Sequence, residues 1–163
     1  MNNKVIINPG SFPSHLENEM YFPLRVIYDS SIESIRFVGF YYEESDLLEF
    51  TVDKETGLIR EMQIVMCSHF QFIDDDYQPA EANTSLISLD YAQHNDCNTF
   101  DFTVFNNALY IIISNETATA FYKYGQVTYG ISASGELVSI LVDDLSSVDI
   151  AHTREELLLG VCK

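Results

Sequence analysis

The sequence predicts a mainly β domain, in which an antiparallel sheet forms a sandwich or a partly closed barrel with one or two short helices. Two observations predict this fold: apolar and polar residues alternate with period two, and polar turns separate the alternating segments. The clearest alternation covers residues 58–73, where one face would carry Met62, Ile64, Met66, Phe70 and Phe72. We expect this segment to form one long half-buried strand with a bulge near Ser68.

Three turn sequences predict three β-hairpins. Residues 53–57 read Asp-Lys-Glu-Thr-Gly, and Gly57 can adopt the positive φ that a tight turn needs. Residues 132–136 form a similar turn, and Asn106-Asn107 marks the third. The strands joined by these turns would be residues 47–52 with 58–73, 127–131 with 137–142, and 100–105 with 109–113. Further strand candidates are residues 5–7 and 34–42.

Length and internal similarity bear on the domain organisation. A chain of 163 residues is expected to form a single domain, residues 1–163. The first and last predicted hairpins are similar when one gap is allowed, which suggests two related β halves, about 1–75 and 76–163. Convergence of hairpins on the same turn chemistry would also explain the similarity, so both alternatives stay open.

Helix signals are short. Ser14-His15-Leu16-Glu17 and Thr153-Arg154-Glu155-Glu156 each fit a capping box, in which a hydroxyl caps backbone N–H groups and a glutamate reaches back. The first predicted helix would be cut by Pro23, and the second can continue to about Val161. Residues 74–85 lack an apolar period and are expected to form a loop.

The charge balance restricts the class of partner. Eight Lys and Arg against 25 Asp and Glu give a formal net charge of −17. No basic residue lies between Arg60 and Lys123, whereas the same interval holds Asp74, Asp75, Asp76, Glu81, Asp90, Asp96, Asp101 and Glu116. Nucleic acid and anionic membranes bind through Lys and Arg, so we expect neither as a partner. The field of such a chain favours a basic partner.

The chain also predicts its compartment. No apolar run approaches the length of a membrane span, and the residues after Met1 lack the basic start and apolar stretch of a secretion signal. We therefore expect a cytoplasmic protein. The three cysteines, Cys67, Cys97 and Cys162, lack framework spacing and are expected to be reduced thiols without a disulfide.

The most conspicuous acidic run is Asp74-Asp75-Asp76, followed by Tyr77. It could contact basic residues of a partner, hold a divalent cation, or form a solvated turn. A calcium loop needs alternating oxygen ligands, a Gly at its sixth position and a Glu at its twelfth, and this run has none of these features. We therefore predict a partner contact and no metal site.

A second acidic edge is formed by Glu43, Glu44 and Asp46, next to Tyr42. A tyrosine ring beside carboxylates suits recognition of Lys and Arg, because the ring offers flat area and the carboxylate pairs with the cation. The alternative is a loop whose tyrosines pack inward. Further along the chain, Asp143, Asp144 and Asp149 could extend the same surface, or Asp143 and Asp144 could end a strand and protect its edge.

Catalytic patterns are weak. The suggestive groups are Cys67-Ser68-His69 and His94-Asn95-Asp96-Cys97, and a zinc site built from both would need Cys67, His69, His94 and Cys97. That spacing matches no common zinc site, and the chain carries neither a nucleophile elbow nor a glycine-rich phosphate loop. We predict no catalytic residues, no cofactor and no enzymatic activity.

Residues 46–59, Asp-Leu-Leu-Glu-Phe-Thr-Val-Asp-Lys-Glu-Thr-Gly-Leu-Ile, and residues 64–67, Ile-Val-Met-Cys, resemble bacterial immunity proteins of polymorphic toxin and contact-dependent growth inhibition systems. The resemblance implies a small cytosolic protein that forms one tight 1:1 complex with a cognate toxin domain, often a basic nuclease such as an RNase. It also implies a monomer when free, with no catalytic residues of its own.

We therefore expect an immunity protein that occludes the active site of its toxin. The alternative is a cytosolic chaperone for a secreted effector, which would dimerise and carry longer amphipathic helices. A carbohydrate-binding β-sandwich is a third class, disfavoured by the absence of Trp.

Overall fold

The computed structural model describes residues 1–29, 33–78 and 81–161, and most of its regular structure is β-strand. The strands are β1 (Lys4–Asn8), β2 (His15–Leu16), β3 (Leu24–Ile27), β4 (Ile35–Tyr42), β5 (Asp46–Asp53), β6 (Ile59–Met66), β7 (Phe70–Phe72), β8 (Asn83–Thr84), β9 (Leu86–Asp90), β10 (His94–Asp96), β11 (Asp101–Val104), β12 (Leu109–Ile112), β13 (Ala118–Tyr124), β14 (Val127–Ser132) and β15 (Leu137–Val142). The helix is α1 (Ser147–Val161).

The described strands form three sheets. The order in the six-stranded sheet is β10-β4-β5-β6-β3-β2, and the order in the seven-stranded sheet is β7-β11-β12-β15-β14-β13-β8. The strands β1 and β9 form a separate two-stranded sheet. Most neighbours are antiparallel, and the edge strands β10, β7 and β8 pair in parallel. The prediction of a mainly β domain with antiparallel pairing is confirmed.

The three predicted hairpins are all present. Strands β5 and β6 pair antiparallel, as do β11 with β12 and β14 with β15. Gly57 has φ of +76°, and its backbone oxygen accepts a hydrogen bond from Leu89 N at 2.9 Å. A Cβ atom on Gly57 would lie 2.6 Å from the carbonyl oxygen of Leu89, so the hairpin turn can approach β9 only because the residue is glycine.

The long strand predicted over residues 58–73 is divided in two. Strand β6 ends at Met66, and β7 begins at Phe70 and joins the other large sheet beside β11. The cause is the carboxylate of Asp46, which accepts hydrogen bonds from Ser68 N at 2.8 Å and His69 N at 3.1 Å. A continuous strand would need these two backbone N–H groups for hydrogen bonds to its neighbouring strand. Because Asp46 binds them instead, the chain leaves the six-stranded sheet here.

The helix predictions are half correct. No helix forms at Ser14–Glu17, where His15 and Leu16 instead form strand β2, paired with β3. The hydroxyl of Ser14 accepts a hydrogen bond from Gln126 N at 2.9 Å rather than capping a helix. The second predicted helix exists, and it reaches Val161, the last residue that the structure describes.

Helix α1 begins six residues before the predicted box. Its capping box is made by Ser146 and Asp149: Asp149 N donates to the Ser146 hydroxyl at 3.2 Å, and Ser146 N donates to the Asp149 carboxylate at 3.1 Å. Thr153 lies inside the helix, where its buried hydroxyl donates to Pro23 O at 2.7 Å. Among the described residues, no helix combines the length and the apolar character that crossing a bilayer requires.

The two large sheets share one core. Tyr28 stacks on Tyr124 with ring centroids 3.9 Å apart, and its hydroxyl donates to Tyr124 O at 2.7 Å. The hydroxyl of Tyr124 donates to Ile59 O of β6 at 2.7 Å, which joins β13 to the six-stranded sheet. Phe50 of β5 also approaches Tyr129 of β14. The sheets therefore pack on each other as in a sandwich, and the buried phenols between them have hydrogen-bond partners.

The two predicted halves exchange strands. Strand β7 comes from residues before 75 but pairs in the seven-stranded sheet, whereas β10 comes from residues after 76 but pairs in the six-stranded sheet. Duplication of the two halves stays a prediction.

Candidate functional site

Two arginines, Arg25 and Arg60, form ion pairs with carboxylates of the same chain. Arg25 Nε donates to Glu61 Oε1 at 2.7 Å, and the same guanidinium pairs with Glu19. Arg60 pairs with Asp29 at 3.0 Å and with Asp53 at 2.8 Å. Each arginine thus neutralises carboxylates that lie beside it in the fold and leaves the others uncompensated.

Other cations are also engaged within the chain. Arg36 donates to the backbone oxygens of Tyr91 at 2.8 Å and Leu89 at 3.0 Å. The guanidinium of Arg154 lies 5.1 Å from the centroid of the Phe72 ring, within the range of a cation–π contact. Because these cations have internal partners, exposed carboxylates elsewhere keep their charge available to a basic protein.

The Asp74–Tyr77 loop is held in place by the turn between β11 and β12. Tyr77 N donates to Asn107 Oδ1 at 2.8 Å, Asn107 Nδ2 donates to Tyr77 O at 3.2 Å, and Asn106 N donates to Asp75 O at 3.0 Å. The side chains of Asp74, Asp75 and Asp76 are exposed. The loop therefore presents three carboxylates on a fixed backbone, which lowers the entropy lost on binding.

Aromatic rings lie beside these carboxylates. The half-buried ring of Tyr77 lies 5.1 Å from Phe105 and stacks on Tyr110 at 5.8 Å. Burial raises the pKa of Tyr77, and the nearby Tyr110 and Asp143 raise it further. A small cavity of about 100 Å³ opens between Tyr77, Tyr110 and Phe121. Rings packed in this way offer flat area to a partner at little cost in side-chain entropy.

Asp143 adds a buried charge to the same surface. The residue is 8% exposed, and its Oδ1 atom has no hydrogen-bond partner among the described residues. The Nζ atom of Lys123 lies 3.9 Å from that oxygen, beyond hydrogen-bond distance. A buried carboxylate oxygen without a hydrogen bond costs free energy, and the charge of Asp143 adds to the negative charge beside Tyr77. We call Asp74, Asp75, Asp76, Tyr77 and Asp143 the acidic–aromatic surface.

The second predicted acidic edge is only partly a surface. Glu43 and Glu44 are exposed at the turn between β4 and β5, and Tyr42 is half-buried with its ring 5.2 Å from that of His69. Asp46 does not lie with them, because it is fully buried. Its carboxylate is used to hold the chain together, and we no longer assign it to partner binding.

Both carboxylate oxygens of Asp46 accept hydrogen bonds from within the protein. Besides the two backbone donors named above, its Oδ2 atom meets the Ser45 hydroxyl at 2.7 Å and His69 Nδ1 at 2.6 Å. Burial acts to raise the pKa of Asp46, but the hydrogen bonds from Ser45, His69 and Ser68 outweigh burial and lower it. Asp46 therefore remains a carboxylate inside the protein.

Strand β7 links the backbone held by Asp46 to the acidic–aromatic surface. Asp46 binds the backbone at Ser68 and His69, just before β7, and Asp74 follows just after it. The chain from Ser68 to Asp74 can extend over at most about 22 Å. The backbone that Asp46 holds therefore lies within about 22 Å of the first residue of the acidic–aromatic surface.

Other acidic residues are distributed over the fold. Asp90 lies on β9, Asp96 on β10 and Asp101 on β11, so the interval without basic residues is divided among three sheets. The carboxylate of Asp149 accepts hydrogen bonds from Asn18 and Ser146 at the start of α1. Asp144, with φ of +56°, directly follows Asp143 and is exposed.

The groups considered for catalysis lack the required geometry. The Ser68 hydroxyl and the Asp46 carboxylate both meet His69 at Nδ1, at 3.2 and 2.6 Å, whereas a triad uses both ring nitrogens. Burial, and then the charge of Asp46, raise the pKa of the Cys67 thiol, and burial raises the pKa of Cys97 to about 12. Both thiols stay protonated and are poor nucleophiles.

Metal ligands are not grouped either. Across residues 1–29, 33–78 and 81–161, no cluster of three or more His, Cys, Asp or Glu side chains is placed to hold a metal ion. Cys67 and Cys97 are free thiols, and Cys162 lies outside the described residues.

The acidic loop is evident from the sequence, but the asparagine that holds its backbone is not. The pair Asn106-Asn107 predicts a turn, and nothing in that pattern indicates that Asn107 binds the backbone of Tyr77. No sequence signal places Asp143 beside Tyr77, because the two are joined only through the order β11-β12-β15 in the sheet.

Comparison with models of known protein families gives no match, and comparison with curated proteins finds no relative.

Proposed function

We propose that this protein is a cytosolic immunity protein that binds a cognate basic toxin domain and blocks its active site. The observation that carries the proposal is the acidic–aromatic surface, in which three exposed carboxylates and the buried carboxylate of Asp143 accompany the packed rings of Tyr77 and Tyr110. Tyrosine is among the side chains that carry most of the binding energy at protein interfaces, and arginine on the partner is another.

The charge of the surface fits a nuclease partner. An enzyme that grips phosphates presents Lys and Arg around its active site, so a carboxylate surface can occupy the same groove. Asp74, Asp75 and Asp76 offer exposed acceptors to the cations of such a groove, and the buried Asp143 adds to the negative charge beside Tyr77. Occlusion of the groove inhibits the enzyme without any catalytic group on this chain.

Protection of cells tests the proposal. The C-terminal domain encoded by the gene immediately upstream would be expressed from an inducible promoter, with and without this protein. We expect growth arrest from the domain alone and normal growth when both are present. A purified complex of the two proteins with 1:1 composition is the accompanying result. The proposal fails if the protein neither binds that domain nor restores growth.

A further inference from the structure

We propose that a groove beside α1 binds an apolar segment carrying a Lys or Arg from the same basic partner. This inference rests on the proposed function. The groove has a volume of about 500 Å³ and lies between the second half of α1, the segment before β3 and the end of β6. We call it the α1 groove; the residues used below are Met20, Tyr21, Glu44, Met66, Glu156 and Leu159.

The walls of the groove expose large apolar side chains. Met20 is 68% exposed, Tyr21 66%, Leu159 50% and Met66 41%. These residues come from three separate parts of the chain, and the fold brings them together around one concavity. Exposed apolar side chains that cluster around a concave site mark an interaction surface, whereas scattered ones need no explanation.

The groove is preformed. Three hydrogen bonds tie the segment before β3 to α1: Tyr21 N donates to Glu156 Oε2 at 3.0 Å, the Thr153 hydroxyl donates to Pro23 O at 2.7 Å, and His152 Nε2 lies 3.0 Å from Phe22 O. The exposed Met20 side chain therefore extends from a fixed backbone. Preformed apolar sites bind more tightly because less conformational entropy is lost on association.

The charge around the groove selects its occupant. Glu44 and Glu156 are lining residues, and among the described residues that line the groove none is Lys or Arg. One oxygen of Glu156 accepts the Tyr21 N–H, and its other oxygen can still accept from a cation. An apolar segment with a flanking Lys or Arg matches both the walls and this charge.

The same charge disfavours other occupants. A second copy of the chain would bring its own Glu44 and Glu156 to a two-fold contact, where like charges repel. An anionic lipid surface would be repelled in the same way. The observations therefore favour a basic protein segment.

A labelled peptide tests the groove directly. The probe is a fluorescein-labelled 14-residue amphipathic helix of leucine and lysine, with binding followed by fluorescence anisotropy. We expect Leu159→Asp and Met66→Asp each to weaken binding by about tenfold or more, because each places a carboxylate on an apolar wall. The control is Val148→Asp, on the same helix at a residue 70% exposed but outside the groove, which should change affinity by less than about twofold.

Peptide variants separate the two parts of the proposal. Replacing the leucines with serine should abolish the apolar contact, and replacing the lysines with glutamate should abolish the ionic one. Circular dichroism melts check that each protein variant folds as the wild type does.

Unchanged binding by both Leu159→Asp and Met66→Asp would overturn the proposed binding site, as would equal binding of the lysine and glutamate peptides. The inference would also be overturned if the wild type sedimented as a dimer and Leu159→Asp as a monomer. The occupant of the groove would then be a second copy of the chain.

The test distinguishes this inference from the proposed function. If the groove variants keep full affinity for the upstream-encoded domain while that domain is still neutralised, the groove is wrong and the immunity function stands. If the protein gives no protection but binds the lysine peptide through Leu159 and Met66, the groove stands and the proposed function fails.

Discussion

A single buried carboxylate, that of Asp46, determines where the chain leaves one large sheet and enters the other. It binds the backbone of Ser68 and His69, directly after β6 ends and before β7 begins. In the sequence the alternation continues across this point, and its irregularity at Ser68 predicted only a bulge within one strand. Alternation reports which residues are apolar, but it does not report which backbone donors a distant carboxylate will take. This is why the break between β6 and β7 could not be predicted.

Replacing Asp46 should reveal its contribution to stability. Asp46→Asn keeps Oδ1, which accepts from Ser68 N and His69 N, but it removes the charge and replaces Oδ2, which meets the Ser45 hydroxyl and His69 Nδ1, with an amide donor. We expect the free energy of unfolding to fall by about 2–3 kcal/mol, measured by urea denaturation at pH 7. The neighbouring exposed Glu43→Gln serves as control and should change stability by less than about 0.5 kcal/mol. Equal stability of the wild type and Asp46→Asn would show that the charge of Asp46 and the hydrogen bonds of its Oδ2 atom do not stabilise the fold.

Asp53 should make stability depend on pH in the acid range. Hydrogen bonds from Thr56 N and the Arg60 guanidinium lower the pKa of Asp53 to about 2. Because the folded pKa lies below the unfolded value near 4, this stabilisation is present above about pH 4 and is lost as pH falls toward 2. We expect the stability difference between wild type and Asp53→Asn to shrink over that window in urea titrations. A difference that stays constant from pH 5 to pH 2 would contradict the assignment.

At the scale of elements, turn chemistry predicted the hairpins well and capping chemistry predicted the helices poorly. A Gly in a polar turn has few alternatives, and Gly57 and Gly135 both adopt positive φ as the turns require. A capping pattern leaves more freedom, since a Ser or Thr hydroxyl can bind any nearby backbone group. Thr153 binds Pro23 O, and Ser146 caps the helix instead.

The two hairpin glycines should differ in their tolerance of a side chain. Gly57→Ala adds a Cβ that would meet Leu89 O at 2.6 Å, on top of an unfavourable φ. Gly135→Ala has a similar φ of +87°, but its nearest neighbour is Lys4 at 3.7 Å. We expect a loss of about 1 kcal/mol for Gly135→Ala and of about 2–4 kcal/mol for Gly57→Ala, from thermal or urea unfolding. Equal losses would mean that the approach of the turn to β9 contributes nothing.

At the scale of the whole molecule, the chain's acidity was evident from composition, but its arrangement was not. The sequence placed Asp74, Asp75 and Asp76 in a loop after a strand, and they do follow β7. Their association with Asp143 depends on the neighbouring positions of β12 and β15 in a seven-stranded sheet. Sheet order of this kind arises from packing between residues far apart in sequence, which a local pattern does not encode.

The net charge should govern how fast the partner is found. With a formal charge of −17, the association rate with a basic toxin domain should fall by about tenfold or more between 0.05 and 0.5 M salt, while dissociation changes less. Stopped-flow fluorescence at several salt concentrations measures both rates. An association rate at 0.5 M salt equal to the rate at 0.05 M salt would show that electrostatic steering plays no part.

The most direct test of the central claim is the affinity for the upstream-encoded toxin domain after neutralising the loop. Asp74→Asn, Asp75→Asn and Asp76→Asn together remove three charges from the acidic–aromatic surface. The matched control removes three exposed charges elsewhere, through Glu55→Gln, Glu116→Gln and Glu155→Gln. By titration calorimetry we expect the first set to weaken binding by about 100-fold and the control set by less than about threefold. Equal weakening by the two sets, or unchanged binding by the first, would contradict the account.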